Sequence, residues 1–260
     1  MTWGRNTTWV LAVLAAVVLA FLYTPLVPPI TSSLRSEGGS GVSLDAYTSL
    51  YDDPVVPDAI WTTIESAVIT ALVAMLLGLL GAMAVRELRI SRGILALLLA
   101  PLFIPGVSMG LADAFFFHEV GIEPSLLTIV AVQVLWCLPF AVLIVLTTMS
   151  TFDPIYLEAA YVHGADRLRA FRDIELPQIA PGLIGAALFS FILSINETVR
   201  TQLVQGPLNN IQTYIYSTYL QVGLSPSIYA LMSLLIVVSV VLFLLLLVRG
   251  LVTRPRPAAQ

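Results

Sequence analysis

The sequence has no lysine, so all twelve of its basic residues are arginines. A nucleotide-binding P-loop needs a Gly-Lys-Ser/Thr segment, and the missing lysine therefore excludes one. If ATP drives this protein, another chain must hydrolyse it. The one cysteine, Cys137, excludes an intrachain disulfide. The two histidines, His118 and His163, do not provide the ligand spacing of a metal site, so we expect no metal.

Charged residues are also scarce, at 11% of the chain, whereas ordinary soluble domains carry about a quarter. Apolar residues make up 58% and the mean hydropathy is +0.93, which together indicate a protein that crosses a membrane several times. The sequence has no Gly-x-Ser-x-Gly nucleophile motif and no basic patch interleaved with aromatic residues. We therefore expect neither an enzyme nor a nucleic-acid-binding protein.

Six apolar runs follow one another along the chain, each long enough to cross a bilayer. They cover about residues 9–30, 60–85, 93–117, 125–148, 178–197 and 226–248. The first run ends at Pro28-Pro29 without a small-x-small cleavage site, which favours a retained span over a cleaved signal peptide. The pattern predicts an all-α membrane protein with one domain, residues 1–260, and six transmembrane helices.

The distribution of arginines predicts the orientation of these spans. With both termini in the cytoplasm, ten arginines lie inside and only Arg35 and Arg200 lie outside. The opposite orientation would reverse this bias. The polar segment 152–177, between the fourth and fifth spans, is therefore expected to face the cytoplasm.

Spans two and five carry small residues at every fourth position. These residues are Ser66, Thr70, Ala74, Gly78 and Ala82 in span two, and Gly182, Ala186, Ser190 and Ser194 in span five. Such stripes allow close contact between helices in lipid, so both spans are predicted to be tightly packed and buried. The pattern leaves open whether the stripes pack within the chain or against a second subunit.

Span three contains Pro101, Pro105 and Gly106. These residues indicate a broken helix, which is common where a span lines a transport pathway. A plain kink is the alternative account.

Three acids lie at membrane depth, Glu65, Asp113 and Glu197, each toward the outer end of its predicted span. An ionised carboxylate there costs at least ~2.5 kcal/mol, so it tends to face a cavity or a partner. No arginine within the spans themselves is available to pair with these acids. Together with Asn196, they are predicted to line the pathway of a small cationic solute. The alternative is that each acid reaches the headgroup region and is solvated.

The polar segment 152–177 has its own local structure. Asp153-Pro154 is a favourable helix start, because Asp caps free N–H groups and Pro suits the first helical position. Gly164 is expected to end or bend this helix, and Asp166 to cap a second helix over residues 167–175.

A sequence motif runs through the same segment: Glu-Ala-Ala, three residues, Gly, nine residues, Ile, one residue, Leu-Pro. The residues at these positions are Glu158, Ala159, Ala160, Gly164, Ile174, Leu176 and Pro177. In spacing and position the segment resembles the EAA loop of binding-protein-dependent ABC importer permeases of type I. The whole chain is similar to that family in having six spans with this loop between the fourth and fifth.

The resemblance implies a function and a set of partners. The motif residues would couple the chain to a cytoplasmic ATPase, which would hydrolyse ATP while this chain binds no cofactor. A second, similar permease, two ATPase subunits and an external solute-binding protein would complete the importer. It would reside in the plasma membrane of a bacterium or archaeon.

Further segments resemble the second permease of spermidine/putrescine importers. They are residues 190–197, Gly206-Pro207 and residues 222–226. That resemblance implies a small cationic or amine-bearing solute such as a polyamine. Polyamine permeases can carry two adjacent acids where this chain has Asn196-Glu197, so one negative charge is missing.

Two other classes of protein are open to the sequence. In a stand-alone secondary transporter driven by ions, the acids at membrane depth would act as proton or ion relays. A tightly bound ATPase would decide against this class. An intramembrane enzyme would need a catalytic constellation, which the sequence lacks.

Overall fold

The computed structural model describes residues 5–35, 41–88 and 91–252, which form thirteen α-helices and no strand. The helices are α1 (Arg5–Tyr23), α2 (Val27–Ser33), α3 (Asp45–Thr48), α4 (Val55–Glu87), α5 (Ser91–Leu99), α6 (Gly106–Glu119), α7 (Leu126–Met149), α8 (Ile155–Val162), α9 (Arg167–Ala170), α10 (Leu176–Ile195), α11 (Val199–Val204), α12 (Ile211–Val222) and α13 (Pro226–Val252). Residues 36–40 and three of the arginines that contribute to the charge bias, Arg89, Arg254 and Arg256, lie outside the described residues.

Five stretches of the described chain are helical, long and apolar enough to cross a membrane. They are Trp9–Ser33, Val55–Glu87, Leu126–Met149, Arg167–Ile195 and Pro226–Leu245. A sixth span results if the bent pair Arg92–Phe103 and Gly106–Glu119 is counted as one. The all-α membrane fold predicted from the sequence is therefore confirmed.

The third predicted span is broken at its prolines. The helices on either side of Ile104 and Pro105 are bent by 103° relative to each other. Ile104 is extended, with φ −91° and ψ 126°, because a residue before proline is displaced from the helical region. The helix is therefore broken at this point, as the sequence indicated, and not merely kinked.

The centre of the molecule is a bundle of α4, α7 and α10, which pack against one another. All nine residues of the two small-residue stripes are buried. A Cβ atom added at Gly78 would lie 2.8 Å from Cβ of Ala141, and one at Gly182 would lie 2.1 Å from Oγ1 of Thr148. Both of these neighbours belong to α7. The question left open by the sequence is therefore decided in favour of packing within the chain.

The bundle has two ends that carry different polar features. The loop end is where α4 and α7 end and α10 begins, at Glu87, Met149 and Leu176, and segment 152–177 lies there. The opposite end is where α4 and α7 begin and α10 ends, and α11 follows there.

Candidate functional site

At the loop end, the first helix of segment 152–177 is capped at both ends. Oδ1 of Asp153 accepts a hydrogen bond of 3.0 Å from the backbone N–H of Ile155, the first residue of α8. Gly164 has φ 84°, a left-handed conformation that favours glycine, and it lies just past the last residue of α8. The predicted start and end of this helix are both confirmed.

The second half of the loop differs from the prediction of one α-helix over residues 167–175. Asp166 caps α9 as expected, since its Oδ1 accepts a 2.8 Å hydrogen bond from the backbone N–H of Arg169. The α-helix ends at Ala170, however, and Phe171–Glu175 form a π-helical turn that continues directly into α10. A π-helical turn is rare and is found frequently at functional sites. It also changes which side chains face the bundle, and a regular 3.6-residue period does not predict this change.

The structure brings several residues of the motif together on an open surface. Ala159, Ala160, Gly164 and Ile174 line one shallow cleft of about 660 Å³. Glu158 is exposed beside this cleft, while Leu176 is half-buried and Pro177 lies at the exposed start of α10. Large apolar side chains of the same segment are also exposed. They are Ile155, Tyr156, Tyr161, Val162 and Leu168. An apolar surface with a polar rim is typical of a protein interaction site.

An ion pair at the base of this loop was not predicted. Glu175 is only 2% exposed, and both of its carboxylate oxygens accept hydrogen bonds from the guanidinium group of Arg86 on α4. The two residues are 89 positions apart, so the sequence treats them as separate loop charges. The signal that could have identified the pair is one acid directly before the apolar start of α10.

At the opposite end, Glu197 and Arg200 form a second buried ion pair. Each residue is 6% exposed. The two oxygens of Glu197 accept 2.8 Å and 2.9 Å hydrogen bonds from the backbone N–H and from Nη1 of Arg200. Cζ of Arg200 lies 4.1 Å from the ring centroid of Trp136, a cation–π contact. The cation that pairs with Glu197 comes from just beyond the predicted span, because Arg200 lies on the short buried helix α11 and not in the exposed loop predicted from the sequence.

A fully buried glutamine holds α11 in this position. Oε1 of Gln133 accepts hydrogen bonds from Thr70 on α4, at 3.2 Å, and from Ser194 on α10, at 2.6 Å. Its Nε2 donates to Oγ1 of Thr201 on α11, at 3.1 Å. One side chain of α7 thus connects three other helices. No sequence pattern singles out Gln133, since it is a single polar residue in an apolar run.

The four residues predicted to line a pathway do not form one cluster. Asp113 lies on α6, which packs against α11 near Arg200, and its Oδ2 is buried with no hydrogen-bond partner among the described residues. Asn196 is exposed, and its Nδ2 donates to the carbonyl of Ile192 at 2.7 Å. Glu65 is half-buried on α4. The structure therefore pairs Glu197 with Arg200 and places Asp113 on the neighbouring helix α6, which approaches Arg200 at Gly110. It does not bring Asn196 or Glu65 into this group.

Hydrogen bonds also attach α12 to the opposite end. Oγ1 of Thr63 accepts a 2.8 Å hydrogen bond from the backbone N–H of Ile211. The hydroxyl of Tyr214 donates to the carboxylate of Asp53. Burial and this hydrogen bond raise the pKa of the Tyr214 phenol, so the hydroxyl keeps the proton that it donates.

These features define a class of protein: a helical membrane subunit with a broken span beside buried charges and a structured loop exposed at one end. The chain belongs to the family of binding-protein-dependent transport system inner membrane components, whose model matches residues 74–256. It is therefore an inner-membrane permease component of an ABC importer, as the loop motif indicated. Family membership decides against the stand-alone secondary transporter, and the family is one of transport components, not enzymes.

The curated relatives of this chain include permeases of polyamine transport systems. The spermidine/putrescine transport system permease protein PotC of Escherichia coli K12 is 29% identical over 232 residues, which are 86% of this chain and 88% of the relative. The putrescine transport system permease protein PotI of the same strain is 28% identical over 229 residues, with 83% and 82% covered.

Solved structures of ABC importers share the fold. A bacterial ABC transporter involved in the import of the acidic polysaccharide alginate has a TM-score of 0.70 at 18% identity, with 96% of this chain and 97% of that chain covered. The MetNI methionine ABC transporter, in an inward-facing conformation, has a TM-score of 0.64 at 17% identity, with 77% and 97% covered. The type I importer permease fold predicted from the loop motif is therefore confirmed.

Proposed function

We propose that the chain forms part of the solute pathway of an ABC importer and that its loop 152–177 receives the movement of an ATPase. The observation that carries this proposal is the geometry of the loop. Four of its motif residues, Glu158, Ala159, Ala160 and Gly164, lie on or just after a capped short helix outside the bundle, where apolar side chains are exposed. Glu158, Ala159, Ala160 and Gly164 would contact the ATPase, while Ile174, Leu176 and Pro177 would join the loop to α10.

The proposed orientation places the loop end in the cytoplasm and both termini on that side. Arg86, Arg167, Arg169 and Arg172 all lie at the loop end, which is the distribution that the positive-inside rule requires. A second permease would complete the pathway, two ATPase subunits would hydrolyse ATP, and an external binding protein would deliver the solute. The exposed apolar residues of α1 are consistent with lipid or a second permease as its neighbour.

For the solute, we propose a small cationic or amine-bearing molecule such as a polyamine. Support comes from the polyamine systems of the relatives and from Asp113, which lies on the second helix of the bent pair and has a carboxylate oxygen without a hydrogen-bond partner among the described residues. Because Arg200 occupies both oxygens of Glu197, the proposed carboxylate for an ammonium group is Asp113. Glu197 then holds Arg200 in place, and the parts of Asn196 and Glu65 in the pathway stay predictions.

The variant Gly164→Leu tests the loop. A Cβ atom at Gly164 meets no atom of the chain within 4 Å, so we expect a large side chain there to collide mainly with a docked partner. We expect the variant importer to assemble and hydrolyse ATP but to lose most uptake in proteoliposomes. The matched control is Gly164→Ala, which has the same cost of about 1–2 kcal/mol for a left-handed backbone without the bulk. Equal uptake by the Leu and Ala variants would contradict the proposal.

The variant Asp113→Asn tests the solute. A charge-assisted hydrogen bond contributes about 1.5–3 kcal/mol, so we expect the KM for putrescine uptake to rise about tenfold or more. Glu119→Gln on the same helix is the control, because Glu119 is exposed. Unchanged putrescine uptake by Asp113→Asn, or no putrescine uptake by the unaltered importer, would exclude this assignment.

A further inference from the structure

Movement of the coupling loop can reach the bundle by two routes. One is the chain itself, since the π-helical turn Phe171–Glu175 continues into α10 without a break. The other is the ion pair between Glu175 and Arg86, which connects the base of the loop to the end of α4. The second route links the loop to a different span.

The geometry of this pair differs from that of the other charges in the loop. Arg172 and Asp173 pair with each other at 2.7 Å, and their side chains are 68% and 53% exposed. Glu175, two residues later, is 2% exposed and binds Arg86 through both carboxylate oxygens, one of them 3.4 Å from Nη2. Nε of Arg86 also binds the exposed Glu87 at 3.0 Å. The two hydrogen bonds to Glu175 therefore hold the guanidinium group of Arg86 in one orientation between the base of the loop and the end of α4.

The incomplete packing around the Arg86–Glu175 pair makes this pair important for transmitting movement from the loop to α4. A cleft of about 270 Å³ separates the end of α4 from the coupling helix α8, and Arg86, Leu157, Tyr161 and Phe171 are among the residues that line it. Apolar packing between α4 and α8 is therefore incomplete at this level. If the loop moved without α4, the buried carboxylate of Glu175 would lose its counterion, which is unfavourable at low dielectric. The loop and the end of α4 are thus expected to move together.

We propose that the Arg86–Glu175 pair transmits the movement of the coupling loop to α4. The proposal rests on the proposed function of the loop in binding an ATPase. From α4, the close contact of Gly78 with Ala141 of α7 extends the rigid connection into the bundle. Arg86 and Glu175 are positioning residues in this scheme, because neither contacts ATP or solute.

The test measures movement at the opposite end, where Ala114 lines a cavity of about 360 Å³. The complete importer is prepared with Ala114→Cys and Cys137→Ala, and the rate of maleimide labelling is measured with and without ATP. Glu175→Gln is expected to keep the ATPase bound and ATP hydrolysis active. It should reduce the effect of ATP on the labelling rate by about tenfold, within the usual range of coupling between sites. Glu87→Gln removes only the exposed partner of Arg86 and should leave the effect unchanged.

Two double variants separate transmission from simple stability. Arg86→Glu with Glu175→Arg reverses the pair and should restore the effect of ATP. Arg86→Met with Glu175→Leu replaces the pair by apolar groups of similar size; it should assemble, and the effect of ATP should stay small. An apolar pair that responds to ATP like the unaltered importer would overturn the proposal, as would a normal response in Glu175→Gln.

Gly164→Leu distinguishes this proposal from the function of the loop on which it rests. If Gly164→Leu abolishes the effect of ATP while Glu175→Gln does not, the loop couples to the ATPase but movement does not pass through Arg86. If neither variant changes the response, the loop itself is not the coupling element and both proposals are wrong.

Discussion

The two ends of the bundle each contain a buried glutamate bound by an arginine, but the two pairs are built differently. At the loop end, Glu175 binds an arginine 89 residues away, and the side chain of Arg86 remains 32% exposed. At the opposite end, Glu197 binds the arginine three residues later, and both side chains are 7% exposed. The first pair joins two segments that are distant in the sequence. The second joins the short connection after α10 to the first turn of α11.

This difference in construction indicates a difference in role. A local pair such as Glu197–Arg200 cannot connect moving parts, because its two residues move as one unit. It allows an arginine to be buried beside Trp136 and the broken span. A long-range pair such as Arg86–Glu175 is broken whenever its two segments separate, so it resists their separation and can transmit movement. The following predictions test this distinction, from the largest expected effect to the smallest.

Glu197→Gln should have the largest effect on stability. The change leaves the guanidinium group of Arg200 buried without a counterion, and loss of one partner of a buried pair costs about 3–5 kcal/mol. The unfolding midpoint of the detergent-purified importer should fall accordingly. Replacing both residues, Glu197→Leu with Arg200→Met, should recover much of this stability. A fully stable Glu197→Gln variant with impaired uptake would instead assign the carboxylate of Glu197 to the solute.

At the loop end, removal of the arginine and removal of the glutamate should lower the stability of the importer by different amounts. Arg86→Gln leaves the carboxylate of Glu175 buried, whereas Glu175→Gln leaves an arginine whose side chain can still reach water. Loss of one partner of a buried ion pair costs about 3 kcal/mol or more, so Arg86→Gln, which leaves the buried carboxylate, should lower the unfolding midpoint more than Glu175→Gln does. The same unfolding measurement compares the two variants. Equal losses would mean that both side chains are buried equally in the assembled importer.

Arg172→Gln should have the smallest effect. Arg172 and Asp173 form an exposed pair of neighbours, and such pairs contribute little to stability because water solvates both charges. We expect no measurable change in the unfolding midpoint of the importer and an unchanged effect of ATP on labelling at the opposite end. A clear loss of stability would show that an assembled partner buries this pair.

The sequence alone determined the features that depend on near neighbours. Apolar runs predicted the spans, and Pro105 predicted the break in the third of them, because a proline lacks the N–H group that a continuous helix needs. Small residues at every fourth position predicted the buried faces of α4 and α10. Asp166 and Gly164 predicted a start and an end of the loop helices, since capping depends on a few adjacent residues.

The tertiary structure alone decided which distant groups meet. The partners of Gln133 come from three other helices, and their selection depends on how each helix is rotated about its axis. The π-helical turn before α10 accompanies the burial of Glu175 against Arg86, and a regular helical period does not predict such a turn. Arg200 was expected in an outer loop, but folding places it under Trp136 and beside Glu197. The free energy of a buried charge depends on its complete surroundings, which only the packed helices supply.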